Sequence, residues 1–304
     1  MNTDLVLRCP TCGSDAFADD EFCESCGLAL GVLRDGRRNH FEVEDESAAG
    51  VSDRGLVHRR NEDALFLESI GEATVVVVCD GVSTSVAPQV AAQMGARTAG
   101  SMISSALHRG DLPWQADQIL VEALAAANNA VVDVPWTPQR GSDGPSCTIV
   151  AAVWDGAAIT VAWSGDSRAY WVGEAAAVQL TSDHSWAQAQ IDTGCAEPRE
   201  ALADPRAHAI TRWLGPDAPA ERPPTAVYRP VAGGRLVVCS DGLWNNFESV
   251  DELAQVIRAK STASPIALAR TLTRHALDRG GHDNVTVAVV DIAPGSQDSK
   301  ERSA

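Results

Sequence analysis

A chain of 304 residues, 45% hydrophobic and 21% charged, has the length for one large domain plus a small module and the balance of a soluble globular protein. Its formal net charge of −17 argues against a nucleic-acid surface built on general basicity. No stretch approaches the ~18–20 apolar residues of a membrane span, and "MNTDLVLRCP" lacks a basic segment followed by an apolar one, so neither membrane nor secretion is expected and the cytoplasm is.

The chain opens on "CPTCGSDAFADDEFCESCG", in which Cys9, Cys12, Cys23 and Cys26 form two CxxC pairs. In a reducing compartment such pairs read as metal ligands, with disulfides or a redox dithiol as the alternatives. Four thiolates suit a closed, tetrahedral Zn²⁺ site, and metal would supply the stability that so short a segment lacks. Residues 1–31 are therefore expected to form a zinc ribbon. Residues 32–50, with "RDGRRNHFEVEDESAAG", are charged and aperiodic and read as a linker. Residues 294–304 read as a disordered tail.

From residue 51 to 293 short apolar runs and helical patterns come in blocks. "ALFLESI", "ATVVVVCD", "CTIVAAVWD", "AITVAWSG", "SRAYWV" and "AAVQL" read as strands, as do the later "GRLVVCS" and "NVTVAVVDI". Helices are expected over Val90–Leu107 and Ile119–Val132, and around Leu253–Ile257 and Ile266–Leu277. These blocks do not alternate as βαβ repeats would, which favours an α+β fold, sheet packed on sheet with helices outside. Residues 183–224 are polar and irregular and read as a flap laid on that core.

Aspartates recur where apolar runs end. Asp63 sits in "NEDALF", Asp80 closes "VVVVCD", Asp166 lies in "WSGDSRAY", Asp241 closes "VVCSD", and Asp283 lies in "GGHDNVTV". Two of the runs end in Asp-Gly, which suggests a shared site if their strands lie side by side. Singly, each is an ordinary turn residue. Together, gathered acids repel unless cations sit among them, and hard oxygen donors suit Mg²⁺ or Mn²⁺. A binuclear site with ions about 3.5–4 Å apart can hold a water for in-line attack on phosphorus. By themselves these residues support a divalent-metal hydrolase and nothing narrower.

The strings "NEDALF", "CDG", "SGDSRAYWV", "LTSDHS", "AITRWLG", "CSDGLWN" and "HDNVTVAVV" are similar, in order and spacing, to the motifs of the PPM (type 2C) metal-dependent protein phosphatases, bacterial type. The resemblance covers roughly Ser52–Ile292. It implies a four-layer α-β-β-α sandwich, and hydrolysis of phosphoserine and phosphothreonine by a water or hydroxide bridging two Mn²⁺ or Mg²⁺ ions. By position, Asp80 resembles the aspartate that bridges both ions, and the Gly81 carbonyl a ligand of the second. Asp241 and Asp283 match the remaining ligands of the first ion. Asp166, with Asp241, matches the site of a third ion, and Glu62 and Asp63 match the acidic pair supporting the second. The partners implied are phosphorylated proteins, substrates of a Ser/Thr kinase, met by a monomer.

Two departures from the family pattern stand out. "VSTS", Val82–Ser85, replaces the family's Gly-Gly-His run, and His58 stands where its phosphate-binding arginine usually does. Arg59 or Arg60 is expected to compensate. Arg60 has the parity of His58 in a regular strand and is the preferred candidate. Cys79 and Cys239 read as small core residues, His184 as a flap-packing residue, Trp163 and Trp171 as core, and His282 is left open. No P-loop, HExxH or GxSxG string is present. A pseudophosphatase and a zinc-ribbon interaction scaffold remain the rival readings.

Overall fold

The computed structural model describes residues 7–8, 14–16, 39–110, 115–138 and 143–293. The expected zinc ligands Cys9, Cys12, Cys23 and Cys26 and the expected tail 294–304 lie outside them. Near the N-terminus β1 (Leu7–Arg8) pairs antiparallel with β2 (Asp15–Ala16), Leu7 opposite Ala16.

The main body begins with β3 (His40–Glu44), β4 (Ala48–Asp53), β5 (Ala64–Ile70) and β6 (Ala73–Cys79). Helices α1 (Pro88–Arg109) and α2 (Ala116–Val132) follow. Next come β7 (Ile149–Trp154), β8 (Ile159–Ser164), β9 (Arg168–Gly173) and β10 (Ala177–Gln179). The flap carries α3 (Trp186–Asp192) and α4 (Pro198–Ala203), and β11 (Thr225–Tyr228) closes it. The chain then runs through β12 (Gly234–Cys239), α5 (Asp241–Trp244), α6 (Val250–Arg258), α7 (Pro265–Asp278) and β13 (Val285–Ile292).

The strands form two antiparallel sheets, of order β10-β9-β12-β13-β4-β3 and β11-β8-β7-β6-β5. The period-2 alternation of side chains sorts each strand into two cores. In β6, Val75, Val77 and Cys79 pack against α1 and α2 with Ala92, Ala96, Ile103 and Leu120. Val76 and Val78 turn the other way and meet Leu236, Val238, Ala288 and Val290 of the facing sheet. On the far side, Val237, Cys239, Val287 and Val289 pack against Leu253, Ile257, Leu268 and Leu272 of α6 and α7. Helices, sheet, sheet and helices thus stack as four layers, as expected for this α+β chain. A continuous valine run such as "TVVVV" is what a strand buried on both faces requires.

The linker expected over residues 32–50 needs correcting from His40 onward. β3 forms the exposed edge of the six-stranded sheet, and its charges are paired: Glu42 with Arg270, and His40 with Asp53 at 2.6 Å. β4 is fully interior, with Ala48 and Ala49 inaccessible. Paired charge on an edge strand and small residues on a crowded one both lower the apolar signal, so the segment mimics a linker. β11 was also missed: half its residues are exposed, and it is a four-residue edge strand on β8.

Candidate active site

The five aspartates reach one end of the sandwich from both sheets. Asp80 follows β6 and Asp63 precedes β5 in the five-stranded sheet, while Asp241 follows β12 and Asp283 precedes β13 in the six-stranded one. Asp166 lies in the β8–β9 connection that joins the two sheets. The two strands ending in Asp-Gly are therefore not neighbours in one sheet. They face each other across the sandwich, and each delivers its acid from one wall of the cleft.

Local geometry explains the glycines that accompany them. A Cβ at Gly81 would lie 2.7 Å from the Glu62 carbonyl oxygen and from Pro88, so only glycine lets the strand end pass there. Gly165 sits at φ +111°, a conformation that favours glycine, and this turn sets Asp166 inward.

Burial and crowding make Asp63, Asp80, Asp166 and Asp241 resist ionisation. Asp80 is held well above the usual carboxylate range, chiefly by burial and then by repulsion from Asp63, Asp241, Asp283 and Asp166. Burial pushes Asp166 up to about 8, with repulsion from Asp241 and Asp183 added. Burial likewise raises Asp63 to about 7, against hydrogen bonds from Ser240 and Thr286 that favour its charge. Asp241 rises to about 6, by burial and the charge of Asp283, and its carboxylate is hydrogen-bonded by Asp80. Oδ1 of Asp63 and Oδ1 of Asp241 are buried with no hydrogen-bond partner.

Buried carboxylate oxygens without donors, beside others that repel them, form a donor set that fits hard divalent cations. Among the described residues no three His, Cys, Asp or Glu side chains already stand as a finished ligand cage. The carboxylates are gathered closely enough for Asp80 and Asp241 to interact directly.

Other residues hold this arrangement. Ser240 Oγ donates to Asp63 Oδ2 at 2.7 Å, and Ser83 Oγ donates to Glu62 Oε2 at 2.6 Å. Asn284 accepts from the Glu62 backbone N–H at 2.7 Å and donates to the carbonyls of Arg54 and Arg60, clamping the loop before β5. Arg168 is bidentate to Asp183, at 2.8 and 2.5 Å, and its guanidinium stacks 3.4 Å above Trp244. The Trp244 indole N–H in turn donates to the Asp166 carbonyl at 2.9 Å. Ser83, Ser240, Asn284, Arg168, Asp183 and Trp244 are not singled out from sequence, although all of them lie inside the quoted strings.

The rim differs from expectation. Residues 58–60 lie in an irregular segment between β4 and β5, so strand parity gives no direction to Arg60 or Arg59. His58 Nε2 lies 3.3 Å from Asp283 Oδ1, and Arg60 Nε lies 3.8 Å from Glu62 Oε1 with its side chain 60% exposed. Arg59 is exposed. Cys79 and Cys239 are buried in the core, and His184 packs in the flap, stacked on Trp163 and accepting from the Gly165 N–H at 3.1 Å. His282 is exposed.

Comparison with known proteins agrees with this geometry. Residues 57–272 match the family model described as protein phosphatase 2C. Over 248 residues the chain is 30% identical to the serine/threonine protein phosphatase PstP of Mycobacterium tuberculosis, covering 80% of this chain and 44% of that one. The chain thus spans less than half the length of that relative. It is 29% identical to the serine/threonine phosphatase stp of Listeria innocua, over 79% of this chain and 93% of that one. The solved catalytic domain of PstP with two manganese ions superposes with a TM-score of 0.59 at 27% identity, covering 81% of this chain and 97% of that one. With more than half its length matched by the family model, the chain belongs to the protein phosphatase 2C family.

Proposed function

We propose that this chain is a metal-dependent protein phosphatase acting on phosphoserine and phosphothreonine. The observation that carries the reading is the set of buried, mutually repelling aspartates delivered by both sheets to one cleft. Mn²⁺ or Mg²⁺ bound there would supply an activated water and neutralise charge on the phosphoryl oxygens. Asp80, Asp241 and Asp283 are the direct carboxylate ligands in this reading, with the Gly81 carbonyl beside them. Asp166, sharing Asp241, offers a third position. Glu62 and Asp63 orient what the second ion carries, and Ser83 and Ser240 fix those two carboxylates in turn. Arg60, free to swing from its long contact with Glu62, captures phosphoryl oxygens bidentately as imidazole cannot.

The domain in this reading runs from His40 to about residue 293, with 183–224 as its flap. Cys9, Cys12, Cys23 and Cys26 would bind one structural Zn²⁺ in a separate N-terminal ribbon. Its partners are phosphoproteins made by a Ser/Thr kinase, and the protein works as a cytoplasmic monomer. Among the described residues no helix is long and apolar enough to cross a membrane. One observation favours a pseudophosphatase instead: His58 occupies the phosphate-capturing position and is turned onto Asp283. Hydrolysis of p-nitrophenyl phosphate and of a phosphothreonine peptide, with Mn²⁺ and with chelator, decides between them. Metal-dependent turnover of both is expected; binding of the peptide without turnover would favour the second reading.

A further inference from the structure

One residue past Gly81 the surface opens into a cavity of about 160 Å³, lined by Val82, Ser85, Asp143 and Ser146 from one part of the chain and by Ile210, Trp213 and Asp217 from residues 183–224. Both walls are pinned. Val82 N–H donates to the Ser146 carbonyl at 2.9 Å, and Val86 N–H to the Asp143 carbonyl at 3.2 Å. Across the cavity, Leu214 exchanges two backbone hydrogen bonds with Cys147, and Gly215 N–H donates to Asn128 at 3.0 Å. The flap wall is thus laced to the strand that leads into β7, and the cavity is formed before anything enters it.

Its size suits one side chain rather than a cofactor or drug-sized molecule, which needs roughly 300 Å³ or more. Val82, Ile210 and the Trp213 ring offer an apolar surface. Asp143 and Asp217 are both exposed, and Trp213 Nε1–H orients Asp217 by a 3.1 Å hydrogen bond. Ser85 Oγ is buried without a partner. Among the described residues, no lysine or arginine lines the cavity. An apolar occupant would leave two carboxylates unanswered, and an anionic one would meet repulsion. A long aliphatic stem ending in a cation answers the apolar surface and the two carboxylates together, stem on Val82 and Ile210, head between the aspartates and over the indole. Guanidinium, planar and weakly hydrated, fits better than ammonium.

We infer that this cavity is a subsite for an arginine side chain of the substrate, close in sequence to the phosphorylated residue, so that the protein selects phosphosites in basic contexts. The inference rests on the phosphatase reading, because Val82 and Ser85 belong to the loop that leaves the carboxylate cleft. The chain's net charge of −17 adds long-range attraction for such substrates.

The test uses phosphothreonine peptides carrying Arg, Ala or Glu in turn at each of the three positions before and after the phosphoresidue, at fixed Mn²⁺. At one position Arg should raise kcat/KM about tenfold over Ala, mainly through KM, and Glu should lower it. The Asp143→Asn, Asp217→Asn double variant should reduce the preference to about twofold or less, and Trp213→Leu should reduce it in part. No Arg preference at any position, or one undiminished in the double variant, overturns the subsite. Fluorescence anisotropy on the same peptides separates the two readings. A chain that binds the Arg peptide more tightly but turns over neither it nor p-nitrophenyl phosphate keeps the subsite and loses the phosphatase reading.

Discussion

The floor of the cleft and its rim are built on opposite terms. The floor is made of aspartates delivered by the two sheets, and Asp63, Asp80, Asp166 and Asp241 are held too close together and too dry to ionise freely. The rim, His58 to Arg60, is an irregular segment in which the His58 imidazole lies 3.3 Å from Asp283 and the exposed Arg60 guanidinium 3.8 Å from Glu62. Rigid strands can store electrostatic repulsion, since the packing that positions each carboxylate forbids it to move away. A loop stores none and adapts. The floor should therefore set whether reaction happens at all, and the rim only how tightly substrate is held.

The strongest way to break this contrast is to remove one charge from the floor. Asp80→Asn and Asp241→Asn should each lower kcat/KM about a hundred- to a thousandfold or more with Mn²⁺ present. Either variant should melt at a higher temperature than the metal-free parent, because one repelling buried carboxylate is gone, and should gain less from added Mn²⁺. Wild-type turnover in either folded variant would end the assignment of the floor. Next in size is the support behind it. Asp183→Ala strands the Arg168 guanidinium, whose side chain is only 20% exposed, and should cost about 3–5 kcal/mol in urea unfolding. A loss of less than about 1 kcal/mol would mean that the pair behaves as a surface ion pair.

The same contrast decides what could be read in advance. The floor is legible because an apolar run that ends in an acid breaks the pattern of its own strand, as "VVVVCD" and "VVCSD" do. Which wall each acid comes from is not legible, since a strand's sheet is set by long-range pairing: β6 pairs with β5 and β7, β12 with β9 and β13. The start of the domain was hidden by its composition. "HFEVE" is an edge whose charges are answered by Arg270 and Asp53, residues that are distant in sequence or on the adjoining strand. Supports such as Asn284 and Trp244 act on backbone groups, a role that side-chain chemistry does not announce. The direction of the rim side chains was not legible for a plain reason: parity arguments hold only in strands, and "HRR" is not in one.

Removing the rim sharpens the comparison at smaller scale. Arg60→Ala should raise KM for a phosphopeptide about three- to tenfold with kcat changed less, as expected of binding shared by ground and transition states. His58→Ala should change KM less, because the half-buried imidazole is turned onto Asp283, itself half-exposed, and such a pair contributes little. If instead Arg60→Ala is silent and His58→Ala is not, phosphate capture belongs to the histidine.

The smallest expected effect lies between floor and rim, where the flap meets the turn that carries Asp166. Burial, reinforced by the Arg212 guanidinium and opposed by Asp183 and Glu221, depresses His184 to about 4. Its neutral ring accepts the Gly165 N–H, which fixes that turn. A histidine whose pKa falls on folding binds fewer protons in the native state than in the unfolded chain. Its contribution is therefore fully present above the unfolded value near 6.5 and is lost as pH falls from there towards 4. Because the ring is partly exposed, solvent screening reduces the effect to about 1 kcal/mol. His184→Gln keeps a hydrogen-bond acceptor there and cannot be protonated. The difference in urea-unfolding free energy between wild type and His184→Gln should therefore narrow or reverse in favour of the variant as pH drops from 7 to 5, by about 1 kcal/mol. The carboxylates of the floor are common to both proteins and cancel in that difference. A constant difference across the range would show that His184 is solvated and that the flap does not hold the Asp166 turn through it.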